Sequence, residues 1–283
     1  MGAADIVPGV SGGTIALITG IYLRLLSALG ALPTAAVTLL RQRQWGPFWQ
    51  RIEGNFLLLL GLGILSSIFL LANLITWLLL EHTVLLWSFF TGLILAAIVF
   101  LARQISQWSF LAGLLLVLGA LVAWSITRMT PVEPQLSYWV IFGGGALAIS
   151  AMILPGISGS FILLLLGLYG PVLQAVRDLD FALLLVFAAG CLTGLLGFAR
   201  LVAEALRQFP GQTLALLTGF MIGALPAVWP WQQAVSGDNL TPFDYAQLTG
   251  EPHLLPWALM LVLLGAVMVL VLEKTQRVGK VFT

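Results

Sequence analysis

Two short stretches of this 283-residue chain hold residue types that could bind an anion. In the first, Pro8-Gly9 is followed by Ser11, Gly12, Gly13 and Thr14; in the second, Pro155-Gly156 is followed by Ser158, Gly159 and Ser160. Proline removes a backbone donor and stops a helix, while glycine permits positive φ and close approach. Ser11 and Ser158 then fall at N-cap positions, heading apolar helices expected over 12–30 and 159–176. A helix head offers unpaired N–H groups and the positive end of the backbone dipole. Hydroxyls of Ser11, Thr14, Ser158 and Ser160 beside two such heads would suit a phosphate or a carboxylate. The bland alternative is that Pro-Gly kinks packed helices and the small residues let them pack closely.

Repetition favours the binding reading. Residues 5–24 read DIVPGVSGGTIALITGIYLR and residues 152–171 read MILPGISGSFILLLLGLYGP. With Pro8 set over Pro155, eight of the fifteen positions from Pro8 to Tyr22 are identical, among them both serines and Gly20/Gly167. A matched set of prolines, glycines and serines implies an internal duplication. In a membrane protein a duplicated backbone break points to a binding site.

The elements that position these motifs must lie in a bilayer. The chain is 60% hydrophobic and 8% charged, against roughly 25% charged in soluble domains. Its net charge of +1 argues against a nucleic-acid partner. Apolar stretches long enough to cross as helices cover 55–80, 84–102, 109–127, 181–206, 213–229 and 256–272. Region 138–176 is too long for one span, and its Gly143–Gly145 run and Pro155-Gly156 break predict two half-length helices.

Loop charge sets orientation. The 31–54 segment, with Arg41, Arg43 and Arg51, and the C-terminal Lys274, Arg277 and Lys280 read as cytoplasmic. The 230–255 loop carries Asp238, Asp244 and Glu251 without Lys or Arg and reads as outside. Alternate threading closes only if 138–176 is a re-entrant hairpin with its tip near Pro155–Ser160. Repeat one (1–130) is then a hairpin over 1–30 and three spans, and repeat two (138–283) is a hairpin over 138–176 and three more. Three crossings are odd, so the halves are expected to be inverted: an all-α polytopic membrane protein with inverted-topology repeats. The echo of Phe89-Phe90-Thr91-Gly92 in Leu216-Leu217-Thr218-Gly219 supports this pairing. Only seven residues precede Pro8, so repeat one is expected to lack the first arm of its hairpin.

Charged groups within the apolar region are functional candidates. Asp5, three residues before Pro8, could orient Ser11 or an arginine, or gate transport by carrying a coupling proton. Arg24, about 20 Å beyond Ser11 on a continuous helix, and Arg200 could attract phosphate. Arg200 and Glu204, spaced i,i+4, are expected to pair, with Glu204 a second coupling or gating candidate beside Asp5. Tryptophans at span ends, among them Trp229 and Trp231, read as an aromatic belt. Cys191 reads as a small core residue. No cofactor is expected, no metal-ligand spacing is present, and no nucleophile–base pair marks an enzyme. A coupling proton or sodium ion is compatible with the chain, as is a homo-oligomer.

The phrases DIVPGVSGGTIALITGIY and LPGISGSFILLLLGLYGPV resemble those of the bacterial polyprenyl-phosphate transporter family called PopT, over essentially the whole chain. The resemblance implies a flippase that returns undecaprenyl phosphate, the lipid carrier of cell-wall sugars, from the outer to the inner leaflet of the cytoplasmic membrane. It implies a polyprenyl phosphate partner near Asp5, Ser11–Thr14 and Ser158–Ser160. The residues alone leave two other classes open: a transporter of a small soluble anion, and a polyprenyl-diphosphate phosphatase.

Overall fold

Residues 1–7, 10–132, 135–233 and 238–279 are described in the structure, a computed structural model. Among them there is no strand beyond one isolated bridge between Gln232 and Asn239. Pro8, Gly9 and Lys280, singled out in the sequence, lie outside the described residues.

A short helix α1 (Gly2–Ile6) leads through the first motif into α2 (Gly12–Ile18). The long α3 (Tyr22–Gln42) and the short α4 (Trp45–Arg51) follow, then α5 (Gly54–Glu81), α6 (Thr83–Gln104) and α7 (Phe110–Thr127). The second half runs through α8 (Tyr138–Ile153), α9 (Gly159–Leu165), α10 (Tyr169–Asp178), α11 (Phe181–Gln208) and α12 (Pro210–Ala224). It ends with α13 (Pro242–Thr249) and α14 (Leu255–Gly279). Seven of the described helices are long and apolar enough to cross a membrane: α3, α5, α6, α7, α11, α12 and α14.

Six of these coincide with the expected spans; α3 does not. Residues 31–54 were expected as a polar connection, yet α3 continues through Pro33 to Gln42 and α4 fills most of the rest. Apolar residues on both sides of Pro33 outweigh the one backbone hydrogen bond that proline removes. The helices expected over 12–30 and 159–176 are likewise not continuous. Each breaks after about two turns, at Gly20 (φ 72°) and Gly167 (φ 65°), where only glycine turns without strain. In the second half the two pieces bend by 102°.

The duplication extends to backbone hydrogen bonds. Val7 N–H donates to Ala4 and Val10 N–H to Val7, as Leu154 does to Ala151 and Ile157 to Leu154. At the glycine turns, Gly20 N–H donates to Leu17 and Ile21 N–H to Ala16, as Gly167 does to Leu164 and Leu168 to Leu163. In the same register, the five residues of α1 match the last five of α8.

The Gly143–Gly145 run, expected to interrupt a helix, is a packing surface instead. Helix α8 passes straight through it, and a Cβ on Gly145 would lie 2.6 Å from the Phe187 carbonyl oxygen of α11. In return Gly190 of α11 abuts Phe142 at 2.1 Å by the same measure. The absent side chains bring the two helices together, as in other membrane helix pairs.

The two halves are knitted by exchange. Helix α7 packs on α12, and α14 packs on α6. A Cβ on Gly219 would meet the Leu116 carbonyl oxygen at 2.1 Å, and one on Gly92 would meet that of Val262 at 2.0 Å. The reciprocal contacts match: Gly119 against Leu216 at 2.4 Å and Gly265 against Phe89 at 2.2 Å. Thus the Thr-Gly echo of α6 and α12 marks equivalent crossings. Trp229 and Trp231 are less a belt than a clamp. Their indole N–H groups donate to the carbonyls of Leu240 (2.9 Å) and His253 (2.8 Å), and Trp231 is buried against Val84 and Ala258.

Close crossings of this kind do not admit a methyl group. Gly219→Ala is expected to destabilise the protein by about 1–3 kcal/mol, lowering its unfolding temperature in detergent. Gly113→Ala, on the same α7–α12 pair but with open space at its Cβ, should leave that temperature unchanged or slightly raised.

Candidate functional site

Helix α8 ends at Ile153, in surroundings where water is scarce. The last carbonyls of any helix lack intrahelical partners and must find donors elsewhere. Leu154 N–H serves Ala151 at 3.0 Å. The next two carbonyls are served by the first motif, more than 130 residues away in sequence. Ser11 Oγ donates to the Met152 carbonyl at 3.0 Å, and the Tyr22 hydroxyl donates to that of Ile153 at 3.1 Å. Thr14 Oγ1 then accepts from Gly156 N–H at 3.2 Å. The two Pro-Gly motifs meet, and the first clasps the second.

Local sequence explains how each group is aimed. Ser11 is extended (φ −111°, ψ 132°) and caps α2 by accepting from Gly13 N–H at 3.1 Å. Asp5 Oδ1 accepts from Gly12 N–H at 2.8 Å, so a carboxylate from α1 occupies the head of α2. Neither glycine could carry a side chain. A Cβ on Gly12 would lie 2.6 Å from the Asp5 carboxylate, and one on Gly13 would lie 2.6 Å from the Ile153 carbonyl oxygen. Gly156 has φ +88° and is pressed against Met221 of α12. Ser11 and Thr14 are each 1% exposed.

The second motif is looser. Ser158 occupies the N-cap of α9 but makes no side-chain cap bond; its Oγ lies 2.8 Å from that of Ser160. Ser158 is buried and Ser160 exposed. Gly159 packs on α8, where a Cβ would meet the Ala148 carbonyl oxygen at 2.7 Å.

The expected cations are placed differently. The break at Gly20 separates α3 from α2, so the distance along one helix assigned to Arg24 does not apply. Its guanidinium pairs with Glu53 and lies 4.3 Å from the centre of the Phe56 ring. Arg200 is exposed on α11, where its backbone flanks Gly30. The expected Arg200–Glu204 pair is not formed; Glu204 accepts from Gln208 Nε2 at 2.6 Å, one helical turn onward. Arg207 instead reaches across to α3, donating to Ser27 Oγ at 2.8 Å.

Two cavities flank the clasp. One, of about 200 Å³, is bordered by Asp5, Gly12, Gly13 and Tyr22 with leucines of α3. The other, of about 760 Å³, lies against Leu154, Ile157 and Ile162 on the second motif's side. Tyr22 was not among the candidates, although its identity with Tyr169 was a signal that could have found it.

Chemically, the head of α2 already holds a carboxyl oxygen. Gly12 N–H donates to Asp5 there, and a phosphate oxygen would present the same kind of acceptor to that donor. The hydroxyls of Ser11 and Thr14 are engaged between the halves, whereas Ser158 and Ser160 are bonded to each other.

Residues 1–241 match a family described as undecaprenyl phosphate translocase-like. A polyprenyl-phosphate transporter of Vibrio cholerae serotype O1 is 44% identical over 287 residues, covering 97% of this chain and 93% of the relative. A polyprenyl-phosphate transporter of Staphylococcus aureus is 35% identical over 248 residues, covering 81% of this chain and 83% of the relative. No solved structure matches.

The clasp makes unequal demands on two tyrosines that the repeat treats alike. Tyr22→Phe strands the Ile153 carbonyl and is expected to cost about 1–3 kcal/mol. Tyr169→Phe, at a half-exposed position, should change stability by less than about 0.5 kcal/mol. Thermal unfolding of the two variants in the same detergent checks the contrast.

Proposed function

The chain belongs to the undecaprenyl phosphate translocase-like family, and on that premise we propose that it transports polyprenyl phosphate, moving the phosphate headgroup across the membrane while the prenyl chain stays in lipid. The observation that carries this reading is the clasp: hydrogen-bonding groups from two distant motifs converge in an apolar bundle. A phosphate cannot shed its water in hydrocarbon without replacement donors. Backbone N–H groups at Gly12 and Gly13, with the hydroxyls of Ser11, Thr14, Ser158 and Ser160, are such donors.

Movement requires the clasp to open and re-form. The bonds joining the motifs are few and individually modest, about 1 kcal/mol each, so headgroup contacts of similar number could replace them. In this reading Asp5 is the internal competitor for phosphate at the head of α2. A proton or sodium ion bound there would weaken its hold on Gly12 and couple transport to an ion gradient. Arg24 and Arg200 would attract phosphate from the solvent-facing end.

Alternating access by inverted halves is part of the proposal. Helix directions support it. Leu116 and Ala120 of α7 lie against Gly219, and Ala120 and Ala123 lie against Gly223, so α7 and α12 run the same way. Helix α6 joins α7 through a short connection at 105–109 and doubles back from it. That sets α6 against its repeat counterpart α12. The charge pattern favours a cytoplasmic C-terminus in a bacterial inner membrane and return of the carrier from the outer to the inner leaflet. The names of the matching family and of the relatives favour a transporter over a phosphatase.

Proteoliposomes with undecaprenyl phosphate in one leaflet test the reading. Headgroup movement above protein-free vesicles is expected, with a loss of about tenfold or more in Ser158→Ala/Ser160→Ala. A folded protein that moves inorganic phosphate but no polyprenyl phosphate would identify a soluble-anion transporter instead.

A further inference from the structure

The larger cavity is walled by hydrocarbon and rimmed by a cation. Its walls are Val122 and Ile126 of α7, Leu147 of α8, Ile157 of the second motif, Ile162 of α9 and Phe220 of α12. Ser150 also lines it, but its hydroxyl is turned back onto the Ala146 carbonyl at 2.7 Å, so it adds little polarity. The rim is the segment that leaves α7, with Arg128, Met129, Thr130 and Val132. This segment is fastened across the end of α9 by Val132 N–H donating to the Leu165 carbonyl at 2.9 Å.

Arg128 is held there loosely. One guanidinium nitrogen lies 3.9 Å from Asp238 Oδ1, with both side chains more than half exposed, a geometry in which an ion pair contributes little. Its Cζ lies 5.8 Å from the centre of the Trp124 ring, which orients the group without neutralising it. A planar guanidinium matches a phosphate with two parallel N–H donors, a better partner than a carboxylate at that distance. A volume of about 760 Å³ is typical of a chamber for a small ligand, roughly 300–1,000 Å³. It is too small for a whole polyprenyl chain and suits only the isoprene units nearest the headgroup.

We propose that this cavity is a prenyl-chain chamber, and that Arg128 at its rim receives the lipid's phosphate in exchange for Asp238 before the headgroup reaches the clasp. The proposal rests on the transport reading above and adds a site to it. The chamber and the clasp share the second motif: Leu154 and Ile157, which line the chamber, flank the Gly156 N–H held by Thr14. A prenyl chain seated against these residues therefore places its phosphate at one end of the path and its first isoprenes against the segment that must move. The ligand class is a monoanionic or dianionic single-chain prenyl phosphate, distinguished from free phosphate by its need for the apolar walls.

Equilibrium binding to the full chain in detergent tests the assignment, with farnesyl monophosphate, farnesol and inorganic phosphate as probes. Transport of undecaprenyl phosphate is measured in parallel. Arg128→Gln is expected to weaken farnesyl monophosphate binding about tenfold while leaving farnesol binding unchanged, and Arg128→Lys should restore only part of the loss. Leu147→Trp, which fills the chamber from a partly exposed position, should weaken farnesyl monophosphate and farnesol alike. Arg103→Gln, at the opposite end of the helix bundle, should change none of these. If Arg128→Gln and Leu147→Trp bind and transport as the wild type does, the chamber is not the site and the transport reading stands. Inorganic phosphate bound as tightly as farnesyl monophosphate would also overturn the chamber. A folded wild type that neither binds nor moves any prenyl phosphate would overturn the transport reading and the chamber with it.

Discussion

The end of α8 lies among apolar helices, and its terminal carbonyls cannot rely on water. A helix that stops inside a membrane protein must have its last backbone acceptors paired by something else, because an unpaired buried carbonyl costs about 1–3 kcal/mol. Here the partners are Ser11 and Tyr22, brought by a segment more than 130 residues earlier in the chain. The whole arrangement of the first motif follows from that requirement. Ser11 must be extended to aim its hydroxyl, Gly13 must be bare to admit the Ile153 carbonyl, and the turn at Gly20 must bring Tyr22 alongside. Half-length helices are affordable in this bundle only because the two motifs complete one another.

The same logic of absent side chains builds the scaffold. Apolar burial gives little drive to join helices already in lipid, so close backbone approach has to supply the contact. Gly92, Gly119, Gly219 and Gly265 do so at two equivalent crossings, each joining a helix of one half to a helix of the other. Neither half can be withdrawn without exposing the other's crossing. The clasp therefore sits within a frame that is tightly packed at α7–α12 and α6–α14. The α9–α10 segment packs on α8 and α11 and takes no part in those crossings.

Electrostatics distinguishes the clasp from the rim of the larger cavity. The head of α2 is filled by Asp5, whose Oδ1 is at hydrogen-bond distance from Gly12 N–H. Arg24 is paired with Glu53 and stacked on Phe56, and Arg207 is engaged with Ser27. By contrast, Arg128 lies over Trp124 and has a long, exposed contact with Asp238 beside an apolar cavity. An anionic lipid would meet a weaker competitor at that rim than at Asp5. Such a gradient of competition suits a carrier, which must release as well as bind.

The sequence by itself determined the membrane-spanning class, six of the seven long apolar helices and the duplicated motif, because these depend on composition and on local identities that survive in one dimension. The Thr91-Gly92 and Thr218-Gly219 echo was legible as well, but that it marks matched crossings came from the packing. The full length of helix α3 escaped notice because the arginines at 41–51 read as a cytoplasmic connection, and only tertiary packing makes a helix through Pro33 worthwhile. The Gly143–Gly145 run misled for a similar reason: glycine can break a helix or admit a neighbour, and only the presence of α11 selects between the two. Which hydroxyl bonds to which backbone group was beyond reach, since Ser11, Thr14 and Tyr22 find partners in a motif distant in sequence. Arg200 and Glu204 show the limit even over four residues, for Glu204 turned to Gln208. Spacing states which groups can meet; packing and the need to pair every buried polar atom decide which of them do.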